Sequence, residues 1–297
     1  MLGLNKIYHM DVLEGLKELD DNSAQIIIAD PPYNVGKDFG NGINGDKREL
    51  DEYLKWCDKW IAECIRVLKP NGTMFIYGFS EILAHISTRI SLKKRWLIWH
   101  YTNKNMPTIK FWQRSHEAII CCWKGNPVFN EDDIREPYTE GFLNGSAGKV
   151  RPATEGRLSG KRPKETIYNA NPKGALPRDV IKLPTLAGGV GMSERWFLCK
   201  KCNKVYEPNQ LKEHKEKFKD HEIIKHPTQK PLALCDKLIL SARQKEGIVL
   251  VPFAGSGSEC VSAKRLGLDF IGFEINLDYI KIAEKRLKET PKQLTLK

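Results

Sequence analysis

"IVLVPFAGSGSECVSAKRLGLDFIGFE", Ile248–Glu274, decides the fold. Ile248–Val251 is a short β-branched run, the composition of a strand buried on both faces. "PFAGSGSE" is a tight glycine turn, and a helix is predicted from about Glu259 to Leu266. Phe270–Phe273 is a second strand, closed by Glu274, 17 residues after Gly257. Strand, glycine turn, helix, strand and acid form the nucleotide-binding half of a doubly wound α/β sheet. Gly255 and Gly257 let the backbone approach a ligand, and Glu274 is placed to accept from two ribose hydroxyls. The turn lacks the third glycine of a dinucleotide fingerprint and the Lys-Ser/Thr of a phosphate-binding loop. Read alone, it is also compatible with a purely structural βα turn.

The same alternation starts at the other end of the chain. Lys6–Met10 reads as a strand, Val12–Leu19 as a helix and Ala24–Ala29 as a buried strand. Asn34–Lys47 holds Gly36, Gly40, Gly42 and Gly45 and reads as a mobile loop, a candidate lid. Glu49–Leu68 has helical apolar spacing and runs into "KPNG", a turn signal, before the strand Thr73–Tyr77. A helix is predicted over Ile82–Ile90 and strands over Trp96–Tyr101 and Ala118–Trp123. After the middle of the chain, Leu232–Ser241 and Asp278–Leu287 read as helices. Strands alternating with helices imply a mostly parallel sheet.

The chain has 297 residues, 41% of them hydrophobic, a formal net charge of +11 and a pI near 9.1. That allows one large α/β domain with an insertion, and the basic surplus points to a polyanionic partner, most simply nucleic acid. The surplus concentrates in Asn144–Lys182, where Lys149, Arg151, Arg157, Lys161, Arg162, Lys164, Lys173, Arg178 and Lys182 face only Glu155, Glu165 and Asp179. This segment is either a solvated loop or a phosphate-contacting arm; its flanks favour the arm. The start of the chain has no signal-peptide layout and no run is long and apolar enough for a membrane helix, so no membrane partner is expected. Of eight cysteines, Cys57, Cys64, Cys121, Cys122, Cys235 and Cys260 sit among apolar or helical residues and read as small core side chains, in keeping with a reducing cytoplasm.

"IIIADPPYNVG", Ile26–Gly36, ends a buried strand abruptly on Asp30. Pro31 and Pro32 fix φ and remove two backbone donors, which leaves their carbonyls free to accept. Tyr33 adds a flat face. A planar base carrying an amino group suits such a corner; a stiff surface turn is the alternative on composition alone.

"DPPY" early, "HPTQKP" at His226–Pro231 and "PFAGSG" late resemble the DNA amino-methyltransferases in their β-class order, with the catalytic motif ahead of the cofactor motif. The resemblance extends through "MDVLEGLKELDDNSAQIIIADPPYN", "WCDKWIAECIRVLKPNGTMFIYG", "SHEAII" and "FIGFEINLDYIKIAEKRL", covering roughly 5–125 and 226–290. It implies a Rossmann-like S-adenosylmethionine-dependent fold, with the catalytic and cofactor-binding domain in 1–125 and 226–297 and a target-recognition insertion in 126–225. It implies that Asp30 and the Pro31 carbonyl accept from the target amino group, in a motif that includes Pro32, and that Tyr33 stacks on the flipped base. Phe253, Ala254, Gly255, Ser256, Gly257 and Ser258 would line the cofactor, Asp30 bordering it. Glu274 would hold its ribose, Asp11 its adenine amino group, and Thr228 and Lys230 its methionine end. Val251 stands where the family usually has Asp, and Ser258-Glu259 replaces the commoner Thr-Thr; Glu259 is a candidate for the missing carboxylate.

The expected activity is N6 methylation of adenine in double-stranded DNA, because Asp heads the motif. Cytosine-N4 methylation is the alternative, with an RNA or protein amide methyltransferase and a non-catalytic DNA-binding protein further off. A homodimer and a cognate restriction enzyme are further expectations from the family. Finally, Cys199 and Cys202 (C-x2-C), His214 after 11 residues and His221 after six more have the donor set of tetrahedral zinc. His226 is a competing fourth ligand. Such a knuckle at 199–221 would brace the target-recognition region.

Overall fold

In the computed structural model the described residues are 2–39, 46–103, 110–152, 165–187 and 193–291. Gly40, Gly42 and Gly45 of the predicted lid, and Arg157, Lys161, Arg162, Lys164 and Glu155 of the predicted arm, lie outside them. By compactness the chain divides into Met1–Phe129 with Asp179–Lys297, and Asn130–Arg178.

The elements run β1 (Lys6–His9), α1 (Val12–Lys17), β2 (Ala24–Ala29), α2 (Leu50–Val67), β3 (Leu68–Gly78), α3 (Ser80–Ser87), β4 (Lys93–Tyr101) and β5 (His116–Trp123). In the second unit come α4 (Glu140–Gly145), β6 (Val150–Pro152) and β7 (Glu165–Ile167). The chain continues with β8 (Val180–Leu183), β9 (Phe197–Cys199), β10 (Lys204–Tyr206), α5 (Pro208–Lys217) and β11 (Ile223–Lys225). It ends with α6 (Leu232–Ala242), β12 (Ile248–Val251), α7 (Ser258–Arg265), β13 (Asp269–Glu274) and α8 (Leu277–Glu289).

Eight strands form one sheet in the order β1-β13-β12-β2-β3-β5-β4-β8. The β1–β13, β13–β12, β12–β2, β2–β3 and β4–β8 pairs are parallel, while β5 is antiparallel to both neighbours. The sheet is thus mixed and mostly parallel, as its helix-strand alternation predicts. Successive side chains of a strand point to opposite faces. Ile27 and Ala29 enter the core beneath α1, α2 and α3, with Leu16, Trp60 and Met74. Ile26 and Ile28 enter the opposite core, with Leu238, Val251 and Ala263. A strand packed on both faces has no polar alternation, which is why Ala24–Ala29 reads as a continuous apolar run. Each such isoleucine contributes roughly 1.5–3 kcal/mol of burial.

One expectation is corrected. "KPNG" is not a turn: residues 68–78 form a single strand whose pairing with β2 shifts register between Ala24 and Ile26. The lysine-rich segment, read as a solvated loop or a phosphate-contacting arm, is in part sheet. Its end, Val180–Leu183, is the edge strand β8, in register with Ile98–Tyr101. The compact second unit runs from Asn130 to Arg178, so β8 belongs to the larger unit.

Among its described residues, Ile134 is buried and polar contacts tie the second unit together. The Arg135 guanidinium bonds Glu131, Asp132 and the Gly174 carbonyl, Lys173 pairs with Asp132, and Tyr138 stacks on Phe142 at 4.6 Å. Among the described residues no helix is long and apolar enough to cross a membrane.

Candidate active site and metal cluster

β12 and β2 are hydrogen-bonded neighbours, yet the chain leaves them in opposite directions, β12 through α7 to β13 and β2 through α2 to β3. That is the switch point of the sheet, where ligands of open α/β folds bind beyond the carboxyl ends of the strands. A cleft of about 1140 Å³ lies there, within the larger unit. Asp11, Asp30, Tyr33, Phe253 and Glu274, which come from the ends of four different strands, all border it.

The corner itself is a network. Lys230 Nζ donates to Asp30 Oδ2 at 2.6 Å and Oδ1 at 2.8 Å. The Tyr33 hydroxyl lies 2.8 Å from Asp30 Oδ1 and 3.0 Å from Glu117 Oε2. Its one proton serves one carboxylate at a time, and the Lys230 ammonium, 3.5 Å from Glu117 Oε2, offsets the crowding of negative charge. Tyr101 donates to Glu117 Oε1 at 2.6 Å. Burial raises the Asp30 carboxyl above its usual range, against the pull of Lys230. Burial alone would lower Lys230, but Asp30 and Glu117 more than reverse it and hold the ammonium charged.

Two details differ from the sequence reading. Of the two proline carbonyls expected to be free, that of Pro32 is taken by the Tyr53 hydroxyl at 2.7 Å. Tyr33 is not an open platform: its ring is 7% exposed and packs edge-on to Phe79 at 5.0 Å, over which the Arg114 guanidinium sits at 4.2 Å. Glu117 lies in the "SHEAII" stretch of the resemblance, but sequence reasoning gave it no role. The available signal was an acid heading the apolar run of β5, where only a bonded carboxylate can be buried.

The glycine turn is held from several sides. Gly255 and Gly257 have φ of +50° and +77°, which a side chain would strain. A Cβ on Gly255 would lie 2.7 Å from His226 Nε2. Glu274 Oε2 accepts from the Gly255 amide at 2.7 Å and Oε1 from the Asn276 amide at 2.8 Å, each oxygen keeping a lone pair for a ligand. Ser258 donates to the Lys230 carbonyl at 2.8 Å. Buried Arg286, which sequence reasoning missed, donates to the Ser256 carbonyl at 2.5 Å. Asp11 caps α1 through the Leu13 amide at 2.8 Å. Phe253 is wedged edge-on against Trp56 and Trp60. Thr228 lines the cleft, while Val251 is buried in β12 and offers it no polar atom. Glu259 does face the cleft; burial raises its carboxyl to about 7.

The described ends of the predicted lid are tied down. Asp46 accepts from the amides of Asn34, Val35 and Lys37, and Asn276 Nδ2 donates to the Phe39 carbonyl.

Apart from the corner, Cys199, Cys202, His214 and His221 bring one ligand atom each within 4.8 Å of one another. His221 Nδ1 is 3.4 Å from Cys199 Sγ and 3.3 Å from Cys202 Sγ. Tetrahedral zinc bonds of about 2.3 Å to sulfur and 2.0 Å to nitrogen require about 3.5 Å between such atoms. His214 Nε2 is buried with no hydrogen-bond partner in the described structure. His226 stands apart, edge-on to Tyr279 at 4.6 Å on the cleft side.

A carboxylate on a proline corner beside a glycine-turn cleft, at the switch point of an open sheet, defines a Rossmann-like enzyme acting on a nucleotide-sized ligand. Residues 24–285 match the family model for DNA methylase, N6_N4_Mtase, and the chain belongs to that family of DNA methyltransferases. It is 31% identical to the DNA adenine methyltransferase YhdJ of Escherichia coli K12, over 95% of this chain and 82% of that protein. It is 29% identical to the Type II methyltransferase M.HpaI of Haemophilus parainfluenzae, over 93% of this chain and 72% of that protein. Among solved structures, the M1.HpyAVI–SAM complex superposes with a TM-score of 0.56 at 22% identity, covering 95% of this chain and 98% of that one. The cytosine-N4-specific PvuII DNA methyltransferase reaches 0.60 at 14% identity, covering 98% and 88%. At these identities the two share the fold.

Proposed function

We propose that the protein transfers a methyl group from S-adenosylmethionine to the exocyclic N6 of adenine in duplex DNA. One observation carries the reading: Asp30 and the glycine turn end adjacent strands and border one cleft. The volume of that cleft, about 1140 Å³, suits a nucleoside-sized donor together with an extruded base. The naming of YhdJ as an adenine enzyme, and of a SAM complex for a protein of the same fold, support the choice of base and donor.

The residues fit such a donor. The Gly255 turn gives close backbone approach, the spare lone pairs of Glu274 suit two ribose hydroxyls, Asp11 suits an adenine amino group, and Thr228, Phe253, Ala254, Ser256, Gly257, Ser258 and Lys230 complete the wall. When bound, S-adenosylmethionine supplies a methyl group on a positively charged sulfur. Glu259, facing the cleft, stands in for the acid that Val251 lacks.

An exocyclic amino nitrogen is a poor nucleophile because its lone pair is delocalised into the ring. Asp30 accepts one N–H and the Pro31 carbonyl the other, which draws the nitrogen towards tetrahedral geometry and frees the lone pair for in-line attack. Pro32, its carbonyl anchored by Tyr53, fixes the backbone. The raised Asp30 carboxylate is the acceptor for the proton that the amino group must shed. Lys230 and Glu117 hold Asp30 and Tyr33 in place, and Tyr33 closes one wall of the base site. Buried thiols such as Cys57, raised to about 11, are not needed as nucleophiles.

In the same proposal, residues 126–225 carry target recognition, and the lysine-rich 144–182 segment meets phosphates. One structural zinc sits at Cys199, Cys202, His214 and His221; the near-tetrahedral spacing and the orphaned His214 nitrogen support it. A restriction partner accords with the Type II relatives.

Incubation with unmethylated DNA and labelled S-adenosylmethionine, followed by digestion to nucleosides, tests the activity. Label in N6-methyl-2′-deoxyadenosine supports it. Label in N4-methyl-2′-deoxycytidine replaces it with the cytosine reading, and label only in RNA or protein overturns DNA as the substrate.

A further inference from the structure

The metal cluster was expected to brace the target-recognition region. Its covalent and packing neighbours lie elsewhere. β10, β9 and β11 form a three-stranded antiparallel leaf, with Ile223–Lys225 of β11 in register with Phe197–Cys199 of β9. The leaf is small, and its apolar side chains look to α8: Val205 and Ile224 pack on the cluster that Leu198 joins. Leu198 is its one side chain in a buried apolar cluster, and its companions there, Tyr279 and Ile282, belong to α8. The turn between Cys199 and Cys202 is gripped by the same helix, Lys281 Nζ donating to Asn203 Oδ1 at 2.8 Å. Tyr206 stacks on His214 at 4.5 Å and Phe218 on His221 at 4.7 Å, so the ring ligands are oriented by aromatic neighbours.

The last strand of the leaf leads straight into the cleft. Lys225 ends β11, and the next residue, His226, packs on Tyr279 and against Gly255. Four residues later Lys230 reaches Asp30. The far end of this hexapeptide is fixed where Glu194 takes the Gln229 side chain on its carbonyl and the Leu232 amide on its carboxylate. Lys200, Glu222 and Ile224 of the leaf themselves line the cleft. Burial lowers the His226 imidazole to about 3, so it meets the turn as a neutral ring that a shifted leaf would withdraw.

We propose that the Cys199/Cys202/His214/His221 ion is a clasp for the methyl-donor site: it fixes the leaf, and the leaf sets the position of His226–Pro231 against the glycine turn and Asp30. This rests on the zinc and donor readings above. Four ligands from a knuckle, a helix and the loop before β11 close a ring around strands of only three residues each. Loss of the ion frees β11, and with it one anchor of the hexapeptide, while the eight-stranded sheet retains its two cores.

The test uses the full-length purified protein. Elemental analysis is expected to give one zinc per chain. Stripping with a chelator should weaken S-adenosylhomocysteine binding, read by calorimetry, about tenfold or more, with circular dichroism of the main fold retained and affinity restored by added zinc. Non-specific binding to a short duplex should change less than threefold. Should the stripped protein aggregate, Asn203→Gly carries the test: it removes the bond to Lys281, keeps the positive φ, and lies outside the four ligands and the cleft lining, so zinc is retained and cofactor affinity falls about threefold. Zinc present with cofactor affinity unmoved overturns the clasp alone. A loss confined to DNA binding returns the ion to the recognition region and also overturns it. Zinc absent overturns the metal reading and the clasp together, and failure of the zinc-loaded protein to bind the cofactor overturns the donor reading beneath both.

Discussion

The proline corner and the Cys/His leaf both gather polar side chains, but they are held in opposite ways. Asp30 stands at the end of a strand buried on both faces; its partner Lys230 comes from the segment before α6, and Glu117 of β5 accepts from the same Tyr33 hydroxyl. The hydrophobic cores fix those backbones whether or not the polar groups are intact. Around Cys199 and His214 the strands are only three residues long beside a ten-residue helix, and Leu198, Val205 and Ile224 pack on a small cluster shared with α8. The comparison teaches where a substitution should be felt. At the corner it should change chemistry and leave the fold; in the leaf it should change local order first.

Asp30→Ala is the strongest test. Methyl transfer should fall by about 10³-fold or more, the scale of losing both a positioned acceptor and a proton acceptor, while S-adenosylhomocysteine affinity stays within about threefold. Asp30→Asn, which keeps the side chain's size, should show nearly the same loss. Near wild-type turnover in either protein would remove Asp30 from the mechanism. On the leaf side, His214→Ala should cost more than about 100-fold in zinc affinity and open residues 197–225 to limited proteolysis. Intact resistance there would mean that the leaf is held by packing, as the corner is.

Lys230→Met separates positioning from folding. Turnover should drop roughly ten- to 100-fold, and the acid limb of its pH profile should move to higher pH. The direction follows from the charges: burial raises Asp30, Lys230 opposes that, and its removal lets Asp30 hold a proton further up the scale. An unmoved acid limb would deny Lys230 this role.

Glu259 gives the smallest effect on turnover and a clear pH signature. Its carboxyl is raised from 4.5 to about 7, chiefly by burial. The folded state therefore favours the protonated form. The associated stability is complete below pH 4.5 and is lost as pH rises through about 7, an effect on the order of 3 kcal/mol at most. Glu259→Gln should flatten that part of the stability curve in thermal melts from pH 4.5 to 7.5. In the wild type, preference for the cationic donor over its neutral thioether product should increase through pH 7 as Glu259 ionises; the glutamine variant should lose this trend.

Much of this was legible in the chain. Ala24–Ala29 and Ile248–Val251 have the same bounds as read from sequence, because a doubly buried strand leaves an uninterrupted apolar run. Asp30 and the glycine turn could be named because prolines and glycines mark backbone positions where few alternatives exist. Other features had no local signature. β8 is four residues of alternating exposure inside a lysine-rich stretch, and its strand character comes from pairing with β4. Asp46 is an ordinary loop acid until three amides converge on it.

By itself, then, the sequence determined the alternation of elements, the two motifs at strand ends and the Cys/His spacing, since these depend on periodicity and on residues with restricted backbones. Tertiary structure alone decided that Asp30 pairs with a lysine 200 residues away, that Tyr33 is locked by Glu117 instead of standing open, and that the Cys/His leaf abuts the cleft through His226. Long-range pairing depends on which strands become neighbours and which buried charges must find partners, and neither is encoded in any short window of the chain.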